Sequence, residues 1–261
     1  MKYYVVDAFA DGLFKGNPAG VCILDNELDE ELMQNIAMEN NLSETAFVVR
    51  KNGNYGLRWF TPSAEVDLCG HATLAAAFVI ADIFGEFVEE MRFDTKSGVL
   101  TVHKRDDGLF ELDFPANKPL KTTVLPEMER AVGVPVVEAY KTRDLESLIL
   151  IVESEYKVRE VKPDLELIKK LAPLAVNVTA KGDDVDFVSR FFAPNVGVPE
   201  DHVTGSAHTR LVPLWAERLG KDRMTAVQLS KRGGVLFCED CGQRVRIAGR
   251  AVLYLRGEIN I

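Results

Sequence analysis

The sequence predicts an α+β protein of two homologous domains, each a β-barrel-like sheet wrapped around one central α-helix. Three observations carry this. The chain repeats itself at an offset of about 135 residues. Each half holds one long, largely apolar span opened and closed by glycine, and the flanking segments alternate apolar and polar residues as strands do.

The first half begins with the strand-like runs "YYVVDAF" and "AGVCIL", and "DEELMQNIA" at 29–37 then has the period of a peripheral helix. "TAFVV" and "GLRWF" alternate again, and His71–Phe84 is apolar nearly all round before Gly85 stops it, as befits a helix enclosed by other structure. "GVLTV" and "LFELDF" close the half as a hairpin. The landmarks then return in order. "RWFTP" at 58–62 recurs as "RFFAP" at 190–194, an offset of 132; Gly70 of "GHAT" recurs as Gly205 of "GSAH", an offset of 135. Asp29 recurs as Asp164, and Gly98 of "KSGVLTV" as Gly234 of "RGGVLFC". The second enclosed span, Ser206–Leu219, stops at Gly220 and carries Pro213 inside it, where a kink is expected. A curled sheet and the helix it surrounds bury each other, so two such halves imply a cleft between them. The boundary is expected near "DFPANKPLKTT", giving domains 1–116 and 117–261, with the last strand free to pack back on the first.

Composition narrows the function. With 261 residues, 47% of them hydrophobic, the chain can bury a full core. A net charge of −9 and scattered Lys and Arg argue against nucleic acid. The sequence offers no long apolar run and no signal-peptide pattern, so no membrane contact and a cytoplasmic location are expected. Cys22, Cys69, Cys238 and Cys241 are too few for a disulfide scaffold. The single C-x-x-C falls where the first half has the turn "HKRDDG", which makes it a hairpin. His71, His103, His202 and His208 show no ligand spacing, and neither metal nor cofactor is expected.

Chemistry is sought where the halves differ. Glu44, in "NNLSETAFVV", starts an apolar strand among small polar residues; an offset of 135 places Thr179 opposite it, so only one half has the carboxylate. A solvent-facing charge is the plain alternative. "GVPEDHVTGSAH" brings Glu200 and Asp201 beside a helix start, where an Asp can complement the helix dipole, act as a second acid or orient a ligand. Gly70 and Gly205 each open an enclosed helix, and amides at such starts can seat a carboxylate. Cys69 stands at the first start with Thr204 as its counterpart, which excludes a two-thiol racemase there. A thiolate at a helix N-terminus would have a lowered pKa; the alternative is a small, buried, inert Cys69.

"GNPAGVCIL", "NNLSETAF", "RWFTPSAEVDLCGHATLAAA", "RFFAP…EDHVTGSAH" and "LSKRGGVL" together resemble the PhzF family over nearly the whole chain. The resemblance implies the diaminopimelate epimerase-like fold, an active site between the domains and a homodimer. In the phenazine isomerase a glutamate moves a proton between ring carbons of a dihydro-hydroxyanthranilic acid without a cofactor. That glutamate matches Glu44, the histidine of the "CGHAT" loop matches His71, and the aspartate and serine of the second loop match Asp201 and Ser206. A proline usually follows that aspartate, whereas His202 does here. The expected activity is a cofactor-independent isomerase acting on a small cyclic carboxylate. Glu44, His71 and Asp201 would be catalytic, and Gly70, Gly205, Ser206 and Cys69 would line the substrate. The alternatives are a single-thiol dehydratase or epimerase using Cys69, and a carboxylate-binding protein without turnover.

Overall fold

The computed structural model describes residues 1–51, 53–86, 89–143, 146–172 and 174–261. The chain forms two compact units, Met1–Asp113 with Ala248–Ile261, and Phe114–Ile247. In chain order the first contains β1 (Lys2–Ala8), β2 (Asn17–Leu24), α1 (Glu30–Asn40), β3 (Glu44–Lys51), β4 (Asn54–Phe60), β5 (Glu65–Val66), α2 (Gly70–Phe78), β6 (Glu90–Thr95), β7 (Gly98–Lys104) and the start of β8 (Phe110–Pro115). The second contains β9 (Leu120–Thr122), α3 (Pro126–Val132), β10 (Glu138–Lys141), β11 (Ser147–Ile151), α4 (Glu155–Glu160), α5 (Leu165–Leu171) and β12 (Ala175–Lys181). It continues with β13 (Phe187–Ala193), β14 (Val198–Asp201), α6 (Gly205–Leu219), β15 (Arg223–Gln228), β16 (Gly234–Asp240) and most of β17 (Arg244–Gly249). The last strand, β18 (Ala251–Glu258), belongs to the first unit and pairs with β1.

Pairing repeats as the sequence does. In the first unit β18, β1 and β2 run antiparallel to their neighbours, β2 is parallel to β3, β3 antiparallel to β4, β4 parallel to β6, and β6–β7–β8 antiparallel. In the second, β9, β10 and β11 are antiparallel, β11 is parallel to β12, β12 antiparallel to β13, β13 parallel to β15, and β15 antiparallel to β16. From β18–β1 to β6–β7 and from β9–β10 to β15–β16 the pairings match one for one, so the duplication is one of topology.

Register corrects one equivalence. Thr45 faces Phe60 across β3 and β4, and Val176 faces Phe192 across β12 and β13. The strand starts Glu44 and Ala175 therefore correspond, an offset of 131, and the counterpart of Glu44 is Ala175 rather than Thr179. The helix before each strand explains the change. α1 has 11 residues and α5 has 7, both capped by the repeated aspartate, Asp29 accepting from the amide of Glu31 and Asp164 from that of Leu167. Losing about one turn of helix, close to 3.6 residues, shortens the 135 offset at the helix start to 131 at the strand. Thr179 is instead a packing group, accepting from the Trp215 indole at 3.0 Å and donating to the Val188 carbonyl at 2.7 Å.

Helices occupy both faces of each sheet. In the first unit α1 lays Met33, Ile36 and Ala37 on Cys22, Leu24, Phe47 and Phe60. On α2 every residue from His71 to Phe78 is buried, as its uniform apolar sequence requires. The helix is shorter than expected as an α-helix: from Val79 to Ile83 it widens into a π-turn, with the Phe84 amide on the Val79 carbonyl at 3.1 Å. In the second unit α3, α4 and α5 cover the outer core around Val176, Val178, Val188 and Phe192.

Through Pro213, where a kink is expected, α6 continues as one element from Gly205 to Leu219. The reason is a substitute donor. Pro213 has no N–H for the carbonyl of Thr209, and the amide of Asn117 takes that carbonyl at 3.0 Å. The C-x-x-C is a turn between β16 and β17: the Cys241 amide bonds the Arg244 carbonyl, and Gly242 has φ +78°. Cys238 is buried and Cys241 exposed. No helix among the described residues is long and apolar enough to cross a membrane.

Candidate functional site

Two structural constraints build the site in the first unit. Parallel pairing of β2 and β3 sets Ala19 beside Glu44 and so brings the start of β2 to the start of β3. Gly16, just before β2, has φ +64°, and a Cβ there would lie 2.2 Å from the Ala8 carbonyl oxygen, so only glycine lets the chain enter β2 this way. Asn17 follows and is fully buried. The first turn of α2 then delivers Cys69 and His71. Cys69 is the N-cap residue, extended at φ −143°, and its carbonyl accepts from the Thr73 hydroxyl and amide at 2.5 and 3.1 Å.

His71 lies at the centre of these groups. Its Nε2 is 3.1 Å from Glu44 Oε2. On its other edge Nδ1 is 3.3 Å from Asn17 Nδ2 and 3.5 Å from Cys69 Sγ. Ser43 Oγ donates to Asn17 Oδ1 at 3.4 Å. The Glu44 side chain keeps 18% of its exposure and that of His71 7%. Glu44 Oε2 and His71 Nε2 are near neighbours without hydrogen-bond alignment, and neither atom has another partner. Two acid–base atoms held close in a buried place without being consumed by each other are chemically competent.

The electrostatics separate the thiol from the other two. Burial, with the Glu44 carboxylate nearby, pushes the Cys69 thiol up, so it stays protonated at neutral pH. This favours the small, inert cysteine over the rival reading of a thiolate at the helix start. Burial works against an imidazolium at His71, but Cys69 and Glu44 on its two edges work for it and prevail, raising its pKa well above the usual value. Glu44, Cys69 and His71 also place potential metal-ligand atoms within 4.8 Å of one another, a grouping that sequence spacing did not reveal. The thiol and the carboxylate are nearest to different ring nitrogens, however, and one ion can take only one of them.

In the second unit the corresponding helix start is built differently. Gly205 opens α6 behind Thr204, and Ser206 is exposed in its first turn. Asp201, the last residue of β14, accepts from Thr204 Oγ1 at 2.5 Å. Gln228 ties the loop by accepting from the Thr204 amide at 2.9 Å and donating to the Asp201 carbonyl at 2.9 Å. Ser230 donates to the carbonyl of His202 at 2.8 Å. Glu200 takes a structural part: Arg190 grips both its oxygens at 2.7 and 2.9 Å and donates also to the Val161 carbonyl. His208, fully buried, faces the Thr204 carbonyl through Nδ1 at 2.9 Å, and burial pushes its pKa down to about 4, so it is neutral.

The structure thus joins Glu44, Cys69, Gly70 and His71 at one helix start, and Asp201, Gly205 and Ser206 at the other. Sequence reasoning did not single out Asn17 and Ser43. Both lie inside quoted motifs, "GNPAG" and "NNLSETAF", and the buried polar Asn between a glycine and a proline is the signal that could have exposed them.

A sheet-around-helix unit present twice, with a carboxylate and an imidazole at one helix start, defines an epimerase-like α+β protein. A probable proline racemase from Agrobacterium radiobacter superposes with a TM-score of 0.64 over 100% of this chain and 93% of its own, at 10% identity, which shows the fold alone. The chain belongs to the phenazine biosynthesis-like (PhzC-PhzF) family, which matches residues 6–257. A protein of Pseudomonas aeruginosa called an uncharacterized isomerase is 50% identical, the alignment covering 100% of this chain and 99% of that one. The PhzF-family crystal structure from Enterococcus faecalis is 47% identical, with a TM-score of 0.96 over 100% of this chain and 99% of its own. Family and names together support an isomerase or epimerase.

Proposed function

We propose that this protein is an isomerase that moves a proton between two carbons of a small cyclic carboxylate, with Glu44 as the acid–base group and no cofactor. The observation that carries this is Glu44 Oε2 lying 3.1 Å from His71 Nε2, with both atoms buried and outside any hydrogen bond. Glu44 takes a proton from a carbon next to a carbonyl or unsaturated system. The C–H bond breaks, an O–H bond forms on the carboxyl, and the electron pair moves into the conjugated system of the substrate. The same proton returns to the second carbon and restores the carboxylate, so atoms and charge balance. His71 orients a polar group of the substrate, while the amides around Gly70 seat its carboxylate. Asp201, Gly205 and Ser206 take the substrate-binding roles that their family counterparts suggest. Cys69 is packing in this mechanism, as its protonated thiol requires.

The test is proton exchange. Candidate cyclic acids are incubated with the protein in deuterated water and followed by NMR. Glu44→Gln should lose about 10²- to 10⁴-fold in exchange rate, while Cys69→Ala keeps most of it. The reverse pattern would overturn the carboxylate mechanism in favour of the thiol, and ligand-dependent thermal stabilisation without exchange by any acid would mark a binding protein.

A further inference from the structure

Asn17 is a fully buried amide that the proton-transfer scheme does not use. Its surroundings define what it does. Gly16 holds the chain in a conformation closed to other residues, with the Ala8 backbone where a Cβ would go, and Pro18 restricts Asn17 from the other side. The side chain therefore leaves a fixed backbone. Its Oδ1 accepts from Ser43 Oγ at 3.4 Å, which turns Nδ2, a pure donor, toward Nδ1 of His71 at 3.3 Å. The Cys69 thiol, protonated because it is buried, lies 3.5 Å from the same ring nitrogen and can donate to it as well.

We infer that Asn17 is a positioning residue that keeps Nδ1 of His71 an acceptor, so that the single proton of the neutral imidazole resides on Nε2, the nitrogen on the Glu44 side of the ring. A neutral imidazole carries one proton on one of two nitrogens, and the hydrogen bond made by one nitrogen decides the state of the other. With Nε2 protonated, His71 presents a donor to Glu44 and to anything bound beside it. With Nδ1 protonated it would present a lone pair to the carboxylate, repelling it and offering a substrate oxygen nothing. The groups facing the ring are Glu44 at Nε2, and Asn17 and Cys69 at Nδ1, with Ser43 behind Asn17. Glu44 draws a second proton onto the ring, and the Asn17 amide donor at Nδ1 opposes it. This inference rests on the proposed proton transfer only for its consequence; the tautomer is a property of the protein alone.

The experiment is long-range ¹H–¹⁵N NMR on full-length protein labelled at histidine nitrogens, with His71 assigned by the signal lost in His71→Gln. In the wild type, above the pH at which His71 loses its second proton, Nε2 should show the shift of a protonated ring nitrogen and Nδ1 that of a lone-pair nitrogen. Asn17→Asp replaces the donor by an acceptor and should move the proton to Nδ1, or hold the ring doubly protonated to a pH higher by about one unit or more. Ser43→Ala, a milder change that removes one donor to Asn17 Oδ1, should bring in signals of the Nδ1-protonated form. A wild-type spectrum with the proton on Nδ1 overturns the inference without any variant. Unchanged His71 nitrogen shifts and titration in a folded Asn17→Asp would overturn it too, and so would an unchanged spectrum in Ser43→Ala. Because no substrate enters the measurement, its failure leaves the Glu44 exchange test untouched, and failure of that test leaves the tautomer standing.

Discussion

Acid should weaken the second unit through one residue, His208. Its imidazole is fully buried on α6, beside Phe187 at 5.8 Å between ring centroids, and burial holds its pKa at about 4 against an ordinary 6.5. Above pH 6.5 the ring is neutral whether the chain is folded or unfolded, and it contributes no pH dependence. Below that value the unfolded chain binds a proton that the folded chain refuses, so stability declines as pH falls. The slope is about 1.4 kcal/mol per pH unit, and the loss is about 3 kcal/mol by the time the folded state also titrates. Other groups titrate in the same range, so the quantity to read is the difference from His208→Asn, which removes the titration but leaves a small cavity. That cavity lowers stability by a constant amount and does not change the slope. Urea midpoints would be followed by tryptophan fluorescence in a Trp59→Phe background, leaving Trp215, which stacks on Phe187 in the same packed group, as the reporter. The wild type should lose stability relative to the variant from pH 6.5 downward. Parallel pH profiles for the two proteins would show that His208 is solvated, and the reasoning from burial would fail.

Two further substitutions test the constraints that build the elements. Gly16→Ala should lower stability by about 1–3 kcal/mol, because it combines φ +64° with a Cβ 2.2 Å from the Ala8 carbonyl oxygen; a thermal midpoint equal to the wild type would contradict this. Pro213→Ala should gain less than about 1 kcal/mol in urea denaturation, rather than the roughly 3 kcal/mol usual for removing a proline from a helix interior, because the Thr209 carbonyl already has the Asn117 amide.

Much of the fold was legible because duplication leaves a record that side-chain drift does not erase. The strands β7 and β16 start at the glycines, Gly98 and Gly234, that marked the repeat, and α2 and α6 both begin at theirs, Gly70 and Gly205. What the sequence could not supply were distances across the chain. Continuity through Pro213 depends on a backbone donor at Asn117, 92–96 residues earlier than the atoms it relieves. The counterpart of Glu44 was misplaced for a related reason: an offset constant over helices slips when one helix is a turn shorter, and only strand pairing reveals the slip. The site was legible in its carboxylate and histidine, since both stand beside landmarks of the repeat. Asn17 was not, because the contact that matters is with a residue 54 positions away, which the neighbouring Gly16 and Pro18 do not reveal.

The two helix starts show how one unit of a duplicated fold can hold reactive groups while the other does not. At offset 135 Cys69 corresponds to Thr204, and at the strand register Glu44 corresponds to Ala175. In the second unit the N-cap position is tied internally: the Thr204 amide is bonded by Gln228, its hydroxyl by Asp201, and the Gln228 amide group by the Asp201 carbonyl. Those bonds make a stiff, polar loop suited to presenting a helix start. In the first unit the same position brings a weakly bonding thiol, and the neighbouring carboxylate and imidazole keep one buried atom each outside any hydrogen bond. Glu44 Oε2 and His71 Nε2 instead face each other at 3.1 Å, at the place where the second unit ties its loop with hydrogen bonds. The surrounding β2, β3 and α2 hold this carboxylate and imidazole together, which is what the proposed proton transfer requires.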